Sequence, residues 1–165
     1  MSKFSFDVVS DFDKAEMNNV YDQARREIDN RYDLKGTKAG IDWLDADKSG
    51  VKITGDNDFH IDAILDILRK KLATRGISQK VLDTTKEATT NNLMMTKLVI
   101  FKKGLGQENA KKITKLIKEH YPKANSQIQG DEIRVTSAKK DELQAIIQLL
   151  KETDFDFPLI FTNYR

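Results

Sequence analysis

Residues 51–68, VKITGDNDFHIDAILDIL, and residues 133–150, IRVTSAKKDELQAIIQLL, carry one apolar pattern 82 residues apart. Thr54 falls on Thr136, Ala63 on Ala145, Ile64 on Ile146 and Leu68 on Leu150. An alternating run, a polar turn and a helical stripe stay in phase throughout, which marks a duplication and not a scatter of identities. The second copy also fixes its own strand pairing. Gly130 and Asp131 separate two alternating runs, and Gly at the first central position suits a two-residue type II′ hairpin turn. That turn sets Gln129 opposite Glu132, Ile128 opposite Ile133 and Gln127 opposite Arg134. The period of two then puts Ile128, Ile133 and Val135 on one face, and Gln127, Gln129, Glu132 and Arg134 on the other. Leu143, Ile146, Ile147 and Leu150 follow as a helical stripe able to cover the apolar face.

The rest of the chain supplies each copy with the same parts. Phe4, Phe6 and Val8 alternate with polar neighbours as a half-buried strand. Met17, Val20, Tyr21, Ala24 and Ile28 recur at helical spacing over residues 13–32, with Asp11 or Asp13 as cap and Gly36 as stop. Residues 38–44 and 51–54 read as strands around the turn DADKSG, and a second helix begins at Asp56 or Asn57 and ends at Arg75-Gly76. Val81-Leu82 supplies a short closing strand, and the polar run DTTKEATTNN reads as a linker or mobile loop. Residues 93–102 are strand-like, residues 107–121 helical with Pro122 as stop, and PLIFTNYR a last strand. The order strand, helix, strand, strand, helix, strand thus occurs twice. It predicts an α+β protein of two ferredoxin-like, split βαβ domains, residues 1–86 and 93–165, with 87–92 as linker. Whether the first or last strand crosses between domains is left open by the pattern.

Composition narrows the chemistry. The 165 residues contain no cysteine, which excludes disulfides, thiol redox chemistry and Cys-ligated zinc. No signal-like apolar region opens the chain and no membrane-spanning run occurs, so the reading is a cytoplasmic protein without a membrane partner. The net charge is only +2, but residues 93–165 hold 13 Lys and Arg against 9 Asp and Glu, leaving 15 against 17 in residues 1–92. Asp45, Asp47, Ser49, Gly50 and Asp56 fall at EF-hand positions, yet AGIDWL before them reads as a strand and the last position lacks Glu. A hairpin turn explains that segment better than calcium. His60 and His120 have no companions at metal-ligand or nucleophile-base spacing, and KKGLGQ lacks phosphate-loop spacing. No nucleophile, oriented base and oxyanion site can be named together, so the reading is of a non-enzyme with no catalytic residue, metal or cofactor.

Binding residues stand out more clearly. Lys111, Lys112, Lys115 and Lys118 cluster on one helix, and Lys139 and Lys140 begin another; a solvated lysine face is the competing reading. Arg134 lies beside Gln127 and Gln129 on an open sheet face, where a guanidinium and amides can read base edges or phosphates. The aromatics an RNA-recognition motif stacks on are missing from residues 51–54 and 133–136.

Over nearly its full length the chain resembles the YajQ family of bacterial proteins, in REIDNRYD (26–33), ILDILRKKLATRGI (64–77), QIQGDEIRVT (127–136), DELQA (141–145) and FTNYR (161–165). The resemblance implies a two-domain α+β fold related to RNA-recognition domains, no known catalytic activity, and nucleotide or nucleic-acid binding. Some members are cyclic di-GMP effectors that act through a transcription factor. Carried over by position, it favours Arg26, Arg31, Arg75, Gln127, Gln129 and Arg134 as binding residues. Helix capping and ion pairing compete for Arg31 and Arg75. Where many members carry an Arg-Gln pair entering the central strand, this chain has Thr96-Lys97. The reading is therefore a nucleotide- or RNA-binding protein, tRNA included, and a regulator responsive to cyclic di-GMP. The sheet around Gln127, Gln129 and Arg134 is its expected site, with Lys139 and Lys140 added for phosphate. The alternative is an adaptor that docks on a transcription or RNA-processing partner. Oligomeric state is not legible.

Overall fold

The computed structural model describes residues 3–165, which form two compact units. One unit joins the residues up to Asp11 to Lys103–Arg165; the other is the contiguous stretch Phe12–Lys102. In the first, β1 (Phe4–Val9) belongs with elements from the far end of the chain. The contiguous unit holds α1 (Lys14–Asn30), β2 (Gly40–Trp43), β3 (Gly50–Gly55), α2 (Asp58–Thr74), a 3₁₀ turn (Gln79–Val81), β4 (Leu82–Asp83), β5 (Thr89–Asn91) and β6 (Met94–Phe101). The remainder is α3 (Gly106–His120), β7 (Asn125–Gln129), β8 (Glu132–Ser137), α4 (Lys140–Glu152) and β9 (Ile160–Thr162).

Each unit is an antiparallel sheet with two helices, and the strand orders are β7-β8-β1-β9 and β2-β3-β6-β4. These are the same ferredoxin-like order, with β1 central in one and β6 central in the other. The registers repeat as well. Val8 pairs with Ile133 and Phe6 with Val135 in one sheet, while Val99 pairs with Val51 and Lys97 with Ile53 in the other. Ile133 lies 82 residues beyond Val51 and Val99 lies 91 beyond Val8, so β6 occupies the place in one sheet that β1 occupies in the other. The unit boundaries therefore differ from the 1–86 and 93–165 suggested by the order of elements. Alternation marks β1 as half-buried without encoding its partner, and the partner comes from the distant copy.

The two central strands differ at adjacent register positions: Asp7, opposite Arg134, answers to Leu98, opposite Lys52, and Phe6 answers to Lys97. Phe6 is fully buried, whereas its counterpart Lys97 is only half-buried and its Nζ donates to the carbonyls of Thr84 and Lys86 at 3.0 and 2.6 Å. An ammonium in the site of Phe6 would be buried without such acceptors.

Local features follow the residues closely. Asp13 caps α1 by accepting from Glu16 N at 3.0 Å, and Asn57 caps α2 by accepting from His60 N at 3.0 Å. α1 stops at Arg31, whose backbone is extended; Gly36, at φ +78°, serves the turn that follows instead of ending the helix. The DADKSG segment is the β2–β3 hairpin turn, where the Asp45 carboxylate accepts from Ser49 N at 3.0 Å and from Ser49 Oγ. The expected linker 87–92 instead contributes β5, which pairs with β6 through a tight turn at Asn92 and Leu93. The Gly130-Asp131 hairpin has all three expected cross-strand pairs. Ile133 and Val135 are buried as the pattern requires, but Ile128 on the outer strand stays 42% exposed.

Candidate functional site

Two groups of polar residues are built by this framework, one in each unit. In the discontinuous unit a row crosses the open sheet face: Gln127 opposite Arg134, Arg134 opposite Asp7, Asp7 opposite Thr162. Asp7 is only 2% exposed. Its carboxylate accepts from Arg134 Nε at 3.0 Å and from Asn163 Nδ2 at 2.8 Å. The hydrogen bond from Arg134 holds the Asp7 carboxyl below its ordinary 3.8, against the opposing effect of burial, and the Asn163 amide adds to the lowering. Reciprocally, Asp7 raises the Arg134 guanidinium. The cation on this face is therefore already neutralised by a carboxylate from β1. Gln127 and Gln129 are exposed on the outer strand, the latter facing Glu132.

The contiguous unit offers a groove between its helices. α1 buries Met17, Val20, Tyr21, Ala24 and Ile28, which turns Gln23, Arg26, Glu27 and Asn30, spaced three and four apart, toward the outside. α2 buries Ile61, Ile64, Leu65, Ile67, Leu68 and Leu72, leaving Lys70 and Lys71 on its outer side. With Arg31 these residues line a groove of about 560 Å³, a volume in the range of small-molecule sites, about 300–1,000 Å³. Its lining carries four cations, Arg26, Arg31, Lys70 and Lys71, against the single carboxylate of Glu27. Lys71 Nζ lies 3.0 Å from Glu27 and Arg31 Nε 2.7 Å from Asp33. The Arg26 guanidinium and the Lys70 ammonium have no side-chain partner among the described residues. Two uncompensated cations at a concave surface favour an anion of matching size. A neighbouring groove of about 470 Å³ shares Arg31 and Lys70 but adds Asp62 and Asp66, so its charge is mixed.

The residues singled out from sequence thus separate into sets. Arg26 and Arg31 meet in the helical groove, and Gln127 and Arg134 sit side by side on the sheet. Arg75 stands outside both, as the cap of α2 with its Nη1 3.6 Å from Glu16. Lys139 and Lys140 are exposed at the start of α4, where Ser137 Oγ accepts from Lys139 N at 3.1 Å. Lys111, Lys112, Lys115 and Lys118 are exposed along α3. Lys70 and Lys71 do not stand out in the sequence, because a basic pair on the polar face of a helix has the look of ordinary solvation. Asp7 does not stand out either, because its partner lies 127 residues away.

No helix among the described residues is long and apolar enough to cross a membrane. A family model described as nucleotide-binding protein YajQ-like matches residues 4–165. Among curated relatives, a protein of Trichodesmium erythraeum is 46% identical over 164 residues, covering 99% of each chain. One of Nocardioides is 44% identical over 167 residues and the whole of both chains, and one of Thermobifida fusca 43% over 162 residues, 98% of this chain and 97% of its own. All three carry the name nucleotide-binding protein.

Proposed function

The chain belongs to the YajQ-like family, and from that premise we propose that it is a non-enzymatic nucleotide-binding protein whose ligand is held by its phosphates in the groove between α1 and α2. The observation that carries this reading is the pair of uncompensated cations, Arg26 and Lys70, backed by Arg31 and Lys71 in an open, shallow groove of about 560 Å³. Arg can grip phosphate oxygens in a fork while Lys acts as a mobile point charge. Two of the segments that carry the family resemblance, REIDNRYD and ILDILRKKLATRGI, supply six of the seven lining residues, Gln23 being the exception. On the sheet of the other unit, Arg134 orders Asp7 and Asn163, and Gln127 and Gln129 remain as neutral contacts. Mononucleotides, cyclic dinucleotides such as cyclic di-GMP, and single-stranded RNA or tRNA share the phosphate chemistry that the groove recognises. A regulator acting through a transcription factor would be one use of such binding.

The test is binding of each of these three ligand classes to the whole chain at low salt, read as a rise in thermal midpoint and then by titration. Arg26→Ala and Lys70→Ala should each weaken the RNA arm and shrink its salt slope by about 0.7, the value for one phosphate contact on a single strand. Arg134→Ala should leave the slope unchanged. No midpoint rise with any class would overturn the proposal, and protein partners captured insensitively to nuclease would favour the adaptor reading.

A further inference from the structure

Tyr32 is 99% exposed, the most exposed large hydrophobic side chain among the described residues. An aromatic ring left wholly in water forgoes the burial that makes such residues useful to a fold, and the neighbouring chain shows no lack of core to receive it. Tyr21, eleven residues earlier, is 6% exposed and stacks on Trp43 at 4.1 Å. The ring of Tyr32 has no aromatic, cationic or hydrogen-bonding partner among the described residues.

The turn that carries it is well anchored. Leu34 N and Lys35 N donate to the Arg31 carbonyl at 3.1 and 2.8 Å, Thr37 Oγ1 donates to the Leu34 carbonyl at 2.6 Å, and the Leu34 side chain is 1% exposed. The backbone is thus fixed one residue beyond Arg31, which lines the basic groove, so that Tyr32 adjoins that lining in sequence. Cations that hold phosphate beside a free aromatic face are the arrangement by which proteins bind unpaired nucleotides: charge takes the backbone and the ring takes the base.

We infer that Tyr32 is the stacking platform for the base of the nucleotide whose phosphates the α1–α2 groove holds. The inference rests on the phosphate reading of that groove and adds a base-recognising residue to it. Stacking is tolerant of base identity but grows with ring area, so a purine is bound more tightly than a pyrimidine. The tyrosine hydroxyl has no necessary part, since the contact is through the ring face.

Titration of the whole chain with GTP, UTP and inorganic tripolyphosphate separates the two contributions. Wild type should bind GTP roughly ten- to a hundredfold more tightly than tripolyphosphate, with UTP between them, and the Tyr32 ring protons should shift on adding GTP. Tyr32→Ala should bring GTP down to the level of tripolyphosphate without changing tripolyphosphate itself, while Tyr32→Phe keeps the wild-type order. Because the side chain contacts nothing in the fold, the thermal midpoints of both variants should match wild type. Tripolyphosphate and GTP binding equally to wild type, or GTP binding to Tyr32→Ala undiminished, would overturn the base platform while leaving the phosphate groove standing. Failure of all three probes to bind wild type would remove the groove and the platform together.

Discussion

Asp7 shows how one side chain can decide what a surface is for. A carboxylate that is 2% exposed would be driven to protonate unless compensated, and here it is kept ionised by Arg134 and Asn163. The sequence makes Arg134 and its glutamine neighbours legible, because the Gly130-Asp131 turn fixes their register. It does not make the neutralising partner legible, since nothing in the alternation of Phe4, Phe6 and Val8 says which strand they join. The pH dependence follows from the direction of the shift. A carboxyl held below 3.8 contributes stability that is fully present above that value and is lost as the pH falls through the lower folded one. Asp7→Asn should therefore destabilise the discontinuous unit by about 1.5–3 kcal/mol at neutral pH, the range for losing a hydrogen bond to a charged group. In urea titrations repeated at decreasing pH, the gap from wild type should close below 3.8. A gap that stays constant into strong acid would mean that shape, not charge, is what Asp7 supplies.

Hairpins account for both the most and the least readable elements. β7–β8 was legible because Gly130 provides the positive φ, here +63°, that its turn demands. β5 was not, because Thr89, Thr90 and Asn91 are all exposed and show no apolar alternation; pairing with β6 alone makes them a strand. Its turn places both Asn92 and Leu93 at positive φ, +52° and +64°. Asn tolerates that region, whereas a leucine there sets its Cβ against the following carbonyl. Leu93 is also 82% exposed, so removing its side chain forfeits little packing. Leu93→Gly should accordingly stabilise the contiguous unit by about 0.5–1 kcal/mol, part of the relief being offset by the greater freedom of unfolded glycine. Gly50 makes the opposite case. A Cβ at that position would lie 2.2 Å from the Val99 carbonyl oxygen, inside the β3–β6 pairing. Gly50→Ala should cost about 1–3 kcal/mol by overpacking, read as a lower urea midpoint, and an unchanged midpoint would show that the two strands can part at no cost.

At the scale of the whole chain, the duplication was legible and the allocation of its central strands was not. The repeat gives two equivalent places and two candidate strands, and local pattern is the same for either assignment. Chemistry at two adjacent register positions distinguishes them, Phe6 and Asp7 in one sheet against Lys97 and Leu98 in the other. We therefore expect residues 12–102 alone to unfold cooperatively, since they contain β6 and every other strand of their sheet. Residues 103–165 alone should not, because they lack β1, whose Phe6 and Val8 are fully buried. Joining residues 1–11 to 103–165 with a short Gly-Ser linker should restore cooperative unfolding. The junction is feasible because Gly104 N donates to the Ser10 carbonyl at 2.7 Å, so the two ends already lie side by side. The decisive comparison is the fragment 93–165, in which β6 is free to take the place of β1 but brings Lys97 into the site of Phe6. That fragment should be less stable than the joined one, and Lys97→Phe should recover about 2–3 kcal/mol by replacing a buried, unpaired ammonium with an apolar ring. Equal stability of 93–165 and the joined fragment, with no gain from Lys97→Phe, would mean that this position does not select which strand each sheet receives.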